Sequence, residues 1–361
     1  MNRFLSLLIG LTIPFLHALS QESGNTGNAG TLIRNTTISG EWFLGFGYND
    51  YTEISTFHLK RGYFTIRTKL NDMFSVRYTQ DITTDVEGSD MGNVEMRLKY
   101  LLLDINFDKT TFLKNTHLEL GLVHRPWLEY EQKLTGYRVQ GKMFSDRYKL
   151  VSSADFGITY GGLLGEKMDE DYQERYGSYY PGRYGSFCIG IYNGGGYHAL
   201  EENNNKIVEG RLTIRPLPDH LPGVQCTYTF SYGKSNTSSN ESLYALNIFH
   251  IASISERHKL MLQYYSGKGG YNGQYINDEG ISLANEGFSG FAELMIPKTS
   301  FSLFSRYDRL ISHQETDINK QTFIAGLAYR FLRNKVLLNY DHSDSDGAIT
   351  NIYEIALEIN F

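Results

Sequence analysis

The last strand-like segment of the chain alternates without a break. Tyr353, Ile355, Leu357, Ile359 and Phe361 fall on one face, and Glu354, Ala356, Glu358 and Asn360 fall on the other. Side chains of a β-strand point to opposite faces with a period of two, so this segment has one apolar and one polar side. Termini are ordinarily frayed and polar, so a soluble protein rarely ends on such a strand.

The alternation recurs along the chain. Phe64, Ile66, Thr68 and Leu70 oppose Thr65, Arg67 and Lys69, and Asn71-Asp72 turns the chain into Phe74, Val76 and Tyr78. Asn and Asp tolerate the left-handed conformations that tight hairpins need. Val94, Met96, Leu98 and Tyr100 then oppose Glu95, Arg97 and Lys99, and the rhythm persists through Phe323–Phe331 and Val336–His342. Helical periodicity is nearly absent. The expected fold is all-β, a transmembrane antiparallel β-barrel of about 16 strands.

Loop lengths support a barrel over a sandwich. Links at one end are short, as at Asn71-Asp72, Pro297–Ser300 and Leu332–Asn334. Links at the other end are long, as at Thr84–Gly92, Pro126–Ser153, Asn193–Asn205 and Gly267–Glu286. Outer-membrane barrels show this sorting, with short periplasmic turns and long outer loops. Leu163–Gly182 breaks the rule, being a long, acidic, tyrosine-rich link where a turn belongs. A hidden hairpin there leaves 18 strands open; an insertion leaves the lower count.

The amino end reads as an export signal. Arg3 precedes the apolar run Phe4–Leu19, and Ala18-Leu19-Ser20 forms a small-x-small cleavage site. The run is shorter than the roughly 20 residues that span a bilayer. We expect a signal peptide over 1–20, a periplasmic lead-in over 21–37 and a barrel over 38–361. The aromatic load, 27 Tyr and 21 Phe against 2 Trp, suits membrane–water boundaries. A net charge of −6 argues against nucleic-acid binding. Cys188 is expected inward and Cys226 outward, too badly placed for a disulfide.

Several segments carry a family resemblance. Gly121-Leu-Val-His-Arg-Pro126-Trp127-Leu-Glu-Tyr-Glu131 is followed by Tyr137-Arg-Val-Gln-Gly-Lys-Met-Phe144. Ile191-Tyr-Asn-Gly-Gly-Gly-Tyr197, Glu201–Lys206 and Arg211-Leu-Thr-Ile-Arg-Pro-Leu-Pro218 come next. Their order and spacing over 116–218 resemble the phosphate-selective porin O/P-like family. The resemblance implies a sixteen-stranded, usually trimeric diffusion pore. It does not imply phosphate as the solute.

A pore needs a polar lumen and a narrow place rather than catalytic groups. The third outer loop, about 126–153, is expected to fold inward as the constriction, with Arg138 and Lys142 among its charges. Arg67, Lys69, Arg77, Arg97, Lys99 and Arg125 are expected on neighbouring inward faces. Guanidinium groups there would offer anions a path. The alternative is an ordinary polar lumen in which these cations pair with Asp81, Glu95, Glu119, Glu209 and Asp308. Expected partners are outer-membrane lipid, small solutes or anions, and the barrel assembly machinery. In bacterial barrels the aromatic end strand, Tyr353 to Phe361, resembles the signal that this machinery reads.

No cofactor or metal is expected: His117 and His124 read as opposite faces of one strand, and no His-x-x-x-His or Cys-x-x-Cys occurs. Two other function classes stay open. Asp341, His342, Ser343 and Asp344 hold the residue types of a hydrolase triad, although strand neighbours face opposite ways. The Gly/Asn/Tyr-rich loop 267–286 would suit adhesion or a scaffold.

Overall fold

A computed structural model describes residues 34–85, 91–107, 112–238, 242–313 and 317–361. The leader expected over 1–20, and the lead-in up to 33, lie outside the described residues. The strands are β1 (Thr36–Asn49), β2 (Ile54–Lys69), β3 (Phe74–Thr84), β4 (Val94–Phe107), β5 (Leu113–His124), β6 (Ala154–Leu164), β7 (Gly185–Tyr192) and β8 (Ile207–Ile214). They continue as β9 (Val224–Lys234), β10 (Leu243–Ile254), β11 (His258–Lys268), β12 (Ala284–Met295), β13 (Phe301–Ser312), β14 (Ile318–Phe331), β15 (Asn334–Ser345) and β16 (Ala348–Asn360).

Each strand pairs antiparallel with its chain neighbours, and β16 returns to pair with β1, closing the barrel. Closure leaves no sheet edge, so the backbone polar groups of the wall are satisfied within it. The outer face carries exposed Trp42, Phe46, Phe249, Leu262, Leu303, Leu338 and Ile355. A belt of this kind is untenable in water and is the lipid-facing exterior of an outer-membrane barrel. Among the described residues no helix is long and apolar enough to cross a membrane.

The third outer loop, 125–153, enters the barrel and holds two helices, α1 (Leu128–Thr135) and α2 (Phe144–Arg147). The exceptional link, 165–184, holds α3 (Glu170–Tyr176) and one isolated Lys167–Gly182 bridge. It is an insertion, and the barrel has sixteen strands rather than eighteen. Asp169 caps α3, its carboxylate accepting from the Tyr172 amide at 2.8 Å.

The register shifts in β1–β2, β3–β4 and β5–β6, and the first two shifts matter for the lumen. Phe43 pairs with Arg61 but Leu44 pairs with Leu59, so Lys60 is an extra residue. Thr79 pairs with Tyr100 but Gln80 pairs with Leu98, so Lys99 is extra. A bulge lets two consecutive side chains share a face. Tyr100, expected outward with Leu98, is therefore inside and only 4% exposed.

The apolar core lies within the barrel. Leu246, Ile248, Phe291, Phe304, Ile324 and Leu337 face inward and are buried against the third loop. Inward faces were expected to be polar throughout; on this side they are apolar because the loop packs on them. Both cysteines are free, Cys188 buried and Cys226 exposed, as alternation on their strands predicts.

Candidate functional site

The third loop is fastened at its root by ionic contacts. The Arg125 Nε donates to Glu209 Oε2 at 2.8 Å, and Glu209 Oε1 also accepts the Trp127 amide at 3.3 Å. Both Arg125 and Glu209 are wholly buried. Arg125 is thus an anchor, not a pore-lining charge as expected.

Aromatic side chains then press the loop on the wall. Tyr130 reaches Thr227 at 2.9 Å; the Tyr137 hydroxyl donates to Glu293 at 2.5 Å, and its ring lies 4.5 Å from Phe304. The end of α1 is positioned by its exposed carbonyls. Lys259 donates to the Thr135 carbonyl at 3.1 Å, and Lys335 donates to that of Gly136. Cations at a helix C-terminus satisfy orphan acceptors and the dipole together.

Packing on one wall leaves the opposite side open. A cavity of about 790 Å³ is lined by Lys60, Arg61, Arg97 and Lys99 from β2 and β4, and by Arg138, Lys142 and Lys149 from the loop. Carboxylates on its surface are Asp85, Glu95 and Asp146. A second cavity of about 140 Å³ holds Arg67, Arg77 and Glu129. The two share Tyr63, Lys99 and Gln132, so these residues stand between them.

Not all of these cations are free. Lys60 pairs with Glu354, while Arg61 and Arg97 share Asp81 at 3.1 Å each. Arg77 lies 3.7 Å from Glu129 and 4.1 Å over the Tyr100 ring. Among the described residues, Lys99, Arg138, Lys142 and Lys149 make no ion pair, and Lys99 instead lies 4.2 Å over the Tyr63 ring. Burial opposes ionisation of Glu129, yet His124 and Arg77 hold its carboxyl well below the ordinary range. It therefore remains a fixed negative charge among cations.

The sequence-predicted set thus divides. Arg97, Lys99, Arg138 and Lys142 meet around the larger cavity, and Arg67 and Arg77 lie around the smaller one. Lys69 does not belong: its side chain is 58% exposed at the β2–β3 turn and pairs with Asp72 at 2.8 Å. Lys60 and Arg61 were missed. Two adjacent cations within a strand cannot both alternate without putting one in lipid, and that conflict was a readable sign of a bulge.

The histidine reading also needs correction. His124 Nδ1 lies 2.6 Å from Glu119 Oε2, and His117, Glu119 and His124 line one cavity. Residues five apart share a face only if alternation breaks between them. Gly121, with φ of 123°, lies between them. Among the described residues no group of His, Cys, Asp or Glu could hold a metal ion.

His342 turns to Asn351 at 2.7 Å, while Ser343 donates to Asp341 at 3.1 Å, so His342 and Ser343 do not join. The Gly/Asn/Tyr-rich loop turns inward, with Tyr275 donating to the Tyr148 carbonyl at 2.6 Å.

Comparison with solved structures agrees with this geometry. Salmonella typhi OmpF in complex with daunomycin superposes with a TM-score of 0.62 at 10% identity, over 90% of this chain and 97% of that one. The chain has the fold of the outer-membrane porins. An anion-selective porin from Comamonas acidovorans gives 0.57 at 11% identity, over 90% and 99% of the two chains. The trimer form of in-vitro folded OmpT, an outer membrane protein of Vibrio cholerae, gives 0.57 at 10%, again over 90% and 99%. No protein-family model matches the chain, and no curated protein matches it.

Proposed function

We infer that this chain is an outer-membrane porin, a water-filled channel for passive diffusion of small hydrophilic solutes, with a preference for anions. One observation carries the reading: of the seven cationic side chains around the larger cavity, Lys99, Arg138, Lys142 and Lys149 make no ion pair among the described residues, while Lys60, Arg61 and Arg97 are held by Glu354 and Asp81. A low-dielectric wall lined by one sign of charge focuses field and concentrates the counter-ion. The third loop supplies three of the four unpaired cations, so it sets both the size and the sign of the narrow region.

The order of the Gly121–Glu131, Tyr137–Phe144 and Ile191–Tyr197 segments favours the phosphate-selective porin O/P-like family over other porins of this fold. A homotrimer in the Gram-negative outer membrane follows from that reading and from the trimer form described for the Vibrio neighbour. Single-channel reversal potentials across a salt gradient test the function. Anion preference is expected; cation preference, or none, overturns it, and a purified protein with no channel steps removes the porin reading altogether.

A further inference from the structure

The link 165–184 does not hang away from the barrel. Tyr172 donates to the Pro222 carbonyl at 2.9 Å, and Arg215 donates to the carbonyls of Tyr180 and Gly182 at 3.1 and 2.5 Å. Tyr180, held at φ 53°, brings its ring 4.8 Å from the Arg211 guanidinium. Tyr130 of the third loop lies 4.3 Å from the same group. The insertion therefore reaches up to the underside of the constriction loop, and Arg211 joins the two.

Between the link and the walls of β4 to β8, with Arg67 reaching in from β2, lies a cavity of about 400 Å³. That is within the size range of small-molecule sites. Three of its cations, Arg67, Lys167 and Arg211, make no ion pair among the described residues. Arg67 is paired directly across the sheet with Arg77, an arrangement that like charges oppose. Arg211 is only 3% exposed, and its hydrogen bonds all go to neutral acceptors: the Pro126 carbonyl, Ser186 and Thr213. Its Nη2 donates to none of them.

Burying a guanidinium without a carboxylate is costly, and stacking on two tyrosines offsets only part of that cost. Two carboxylates line the same cavity. Glu119 is engaged by His124 at 2.6 Å, and Asp104, which accepts from Ser75 at 3.5 Å, keeps its charge, so three cations stand against one unengaged carboxylate. Phe187 adds an apolar surface beside the cations. Arg67 also lines the smaller pore cavity, so the chamber opens beside the permeation route.

We propose that this chamber, beneath the third loop and closed by the 165–184 link, is a second binding site for a small organic anion bearing a carboxylate or phosphate. Arg211 and Arg67 hold the anionic group, Lys167 closes over it from the link, and Phe187 meets the apolar part. The proposal rests on the porin reading only for delivery of the solute; binding itself does not require conduction.

Titration calorimetry on the detergent-purified full chain tests it, with succinate and inorganic phosphate as separate probes. Saturable binding of either probe is expected, weakened about tenfold or more in Arg211→Gln and in Lys167→Glu, and unchanged in Arg138→Glu. Lys167 is exposed, so its variant folds even if Arg211→Gln does not; retention of the compact band on an unheated gel confirms this. No binding by the wild type overturns the proposal. So does binding that survives Lys167→Glu but is lost in Arg138→Glu, which assigns the probe to the constriction. Parallel bilayer recordings keep the two readings apart: channel steps without binding refute the chamber, and binding without channel steps refutes the porin.

Discussion

The Phe361 ring lies over Gly40, so close that a Cβ on Gly40 would collide with the ring carbon Cζ. The backbones exchange hydrogen bonds there, Gly40 to Phe361 at 3.0 Å and Phe361 to Gly40 at 3.1 Å, and Trp42 meets the ring edge-on at 5.6 Å. The seam that closes the barrel therefore ends in a fitted aromatic contact. Gly40→Leu is expected to displace the ring, at an overpacking cost of about 1–3 kcal/mol, and to lower the yield of folded barrel. Deleting Phe361 should lower it further by removing both hydrogen bonds. Heat-modifiable gel mobility of outer-membrane fractions reads both effects, and normal yield from the two variants would remove any role for this contact.

Arg125 and Glu209 form a wholly buried pair at the root of the constriction loop. Removing one partner of such a pair strands a charge, typically at about 3–5 kcal/mol. Glu209→Leu alone should therefore lower the thermal midpoint and raise single-channel current noise as the loop loosens. The double variant Arg125→Met, Glu209→Leu should recover much of the loss. A double variant no better than the single would show that the hydrogen bond to Trp127 matters more than the charge.

Arg138 faces the larger cavity without an ion pair among the described residues, and Lys69 is spent on Asp72 at the short-turn end. Arg138→Glu should move the reversal potential toward cations, while Lys69→Glu should leave it nearly unchanged. Equal shifts from the two would place selectivity in the overall charge of the barrel rather than in the loop.

Glu131 is buried in α1, facing Ser145, Arg306, Asp308 and Asp146. Burial pushes its carboxyl from 4.5 up to about 8, against the opposing 2.7 Å hydrogen bond donated by Ser145. A carboxyl raised in the docked state favours docking fully below its ordinary value, and the benefit is lost as pH rises from there through about 8. Conductance fluctuations should therefore increase toward and above pH 8, and Glu131→Gln, which stays neutral, should flatten that dependence. Fluctuations that grow instead on acidification would contradict this sign.

The sequence made the barrel legible because its signal is local. One face of each strand must satisfy lipid and the other water, and that period of two survives in nearly every strand. It misled at Tyr100, where the extra Lys99 shifts the phase, and at His124, beyond the left-handed Gly121. A bulge is a pairing event between two strands, so one strand read by itself does not reveal it.

The candidate site was legible as a list of cations but not as a set of free ones. Arg125 meets its partner 84 residues away, and Arg147 is spent on Asp341, 194 residues away. The aromatic side of the third loop was likewise unreadable, because the inward Phe291 and Phe304 that receive Tyr137 lie on distant strands.

The alternating sequence by itself determined the all-β class, the approximate strand count, and a third outer loop long enough to enter the lumen. Only the tertiary structure decided the count of sixteen, the inward fold of the 165–184 link, and which cations face the route. Alternation is written residue by residue along one strand, whereas a charge is free or spent according to what the closed barrel brings opposite it.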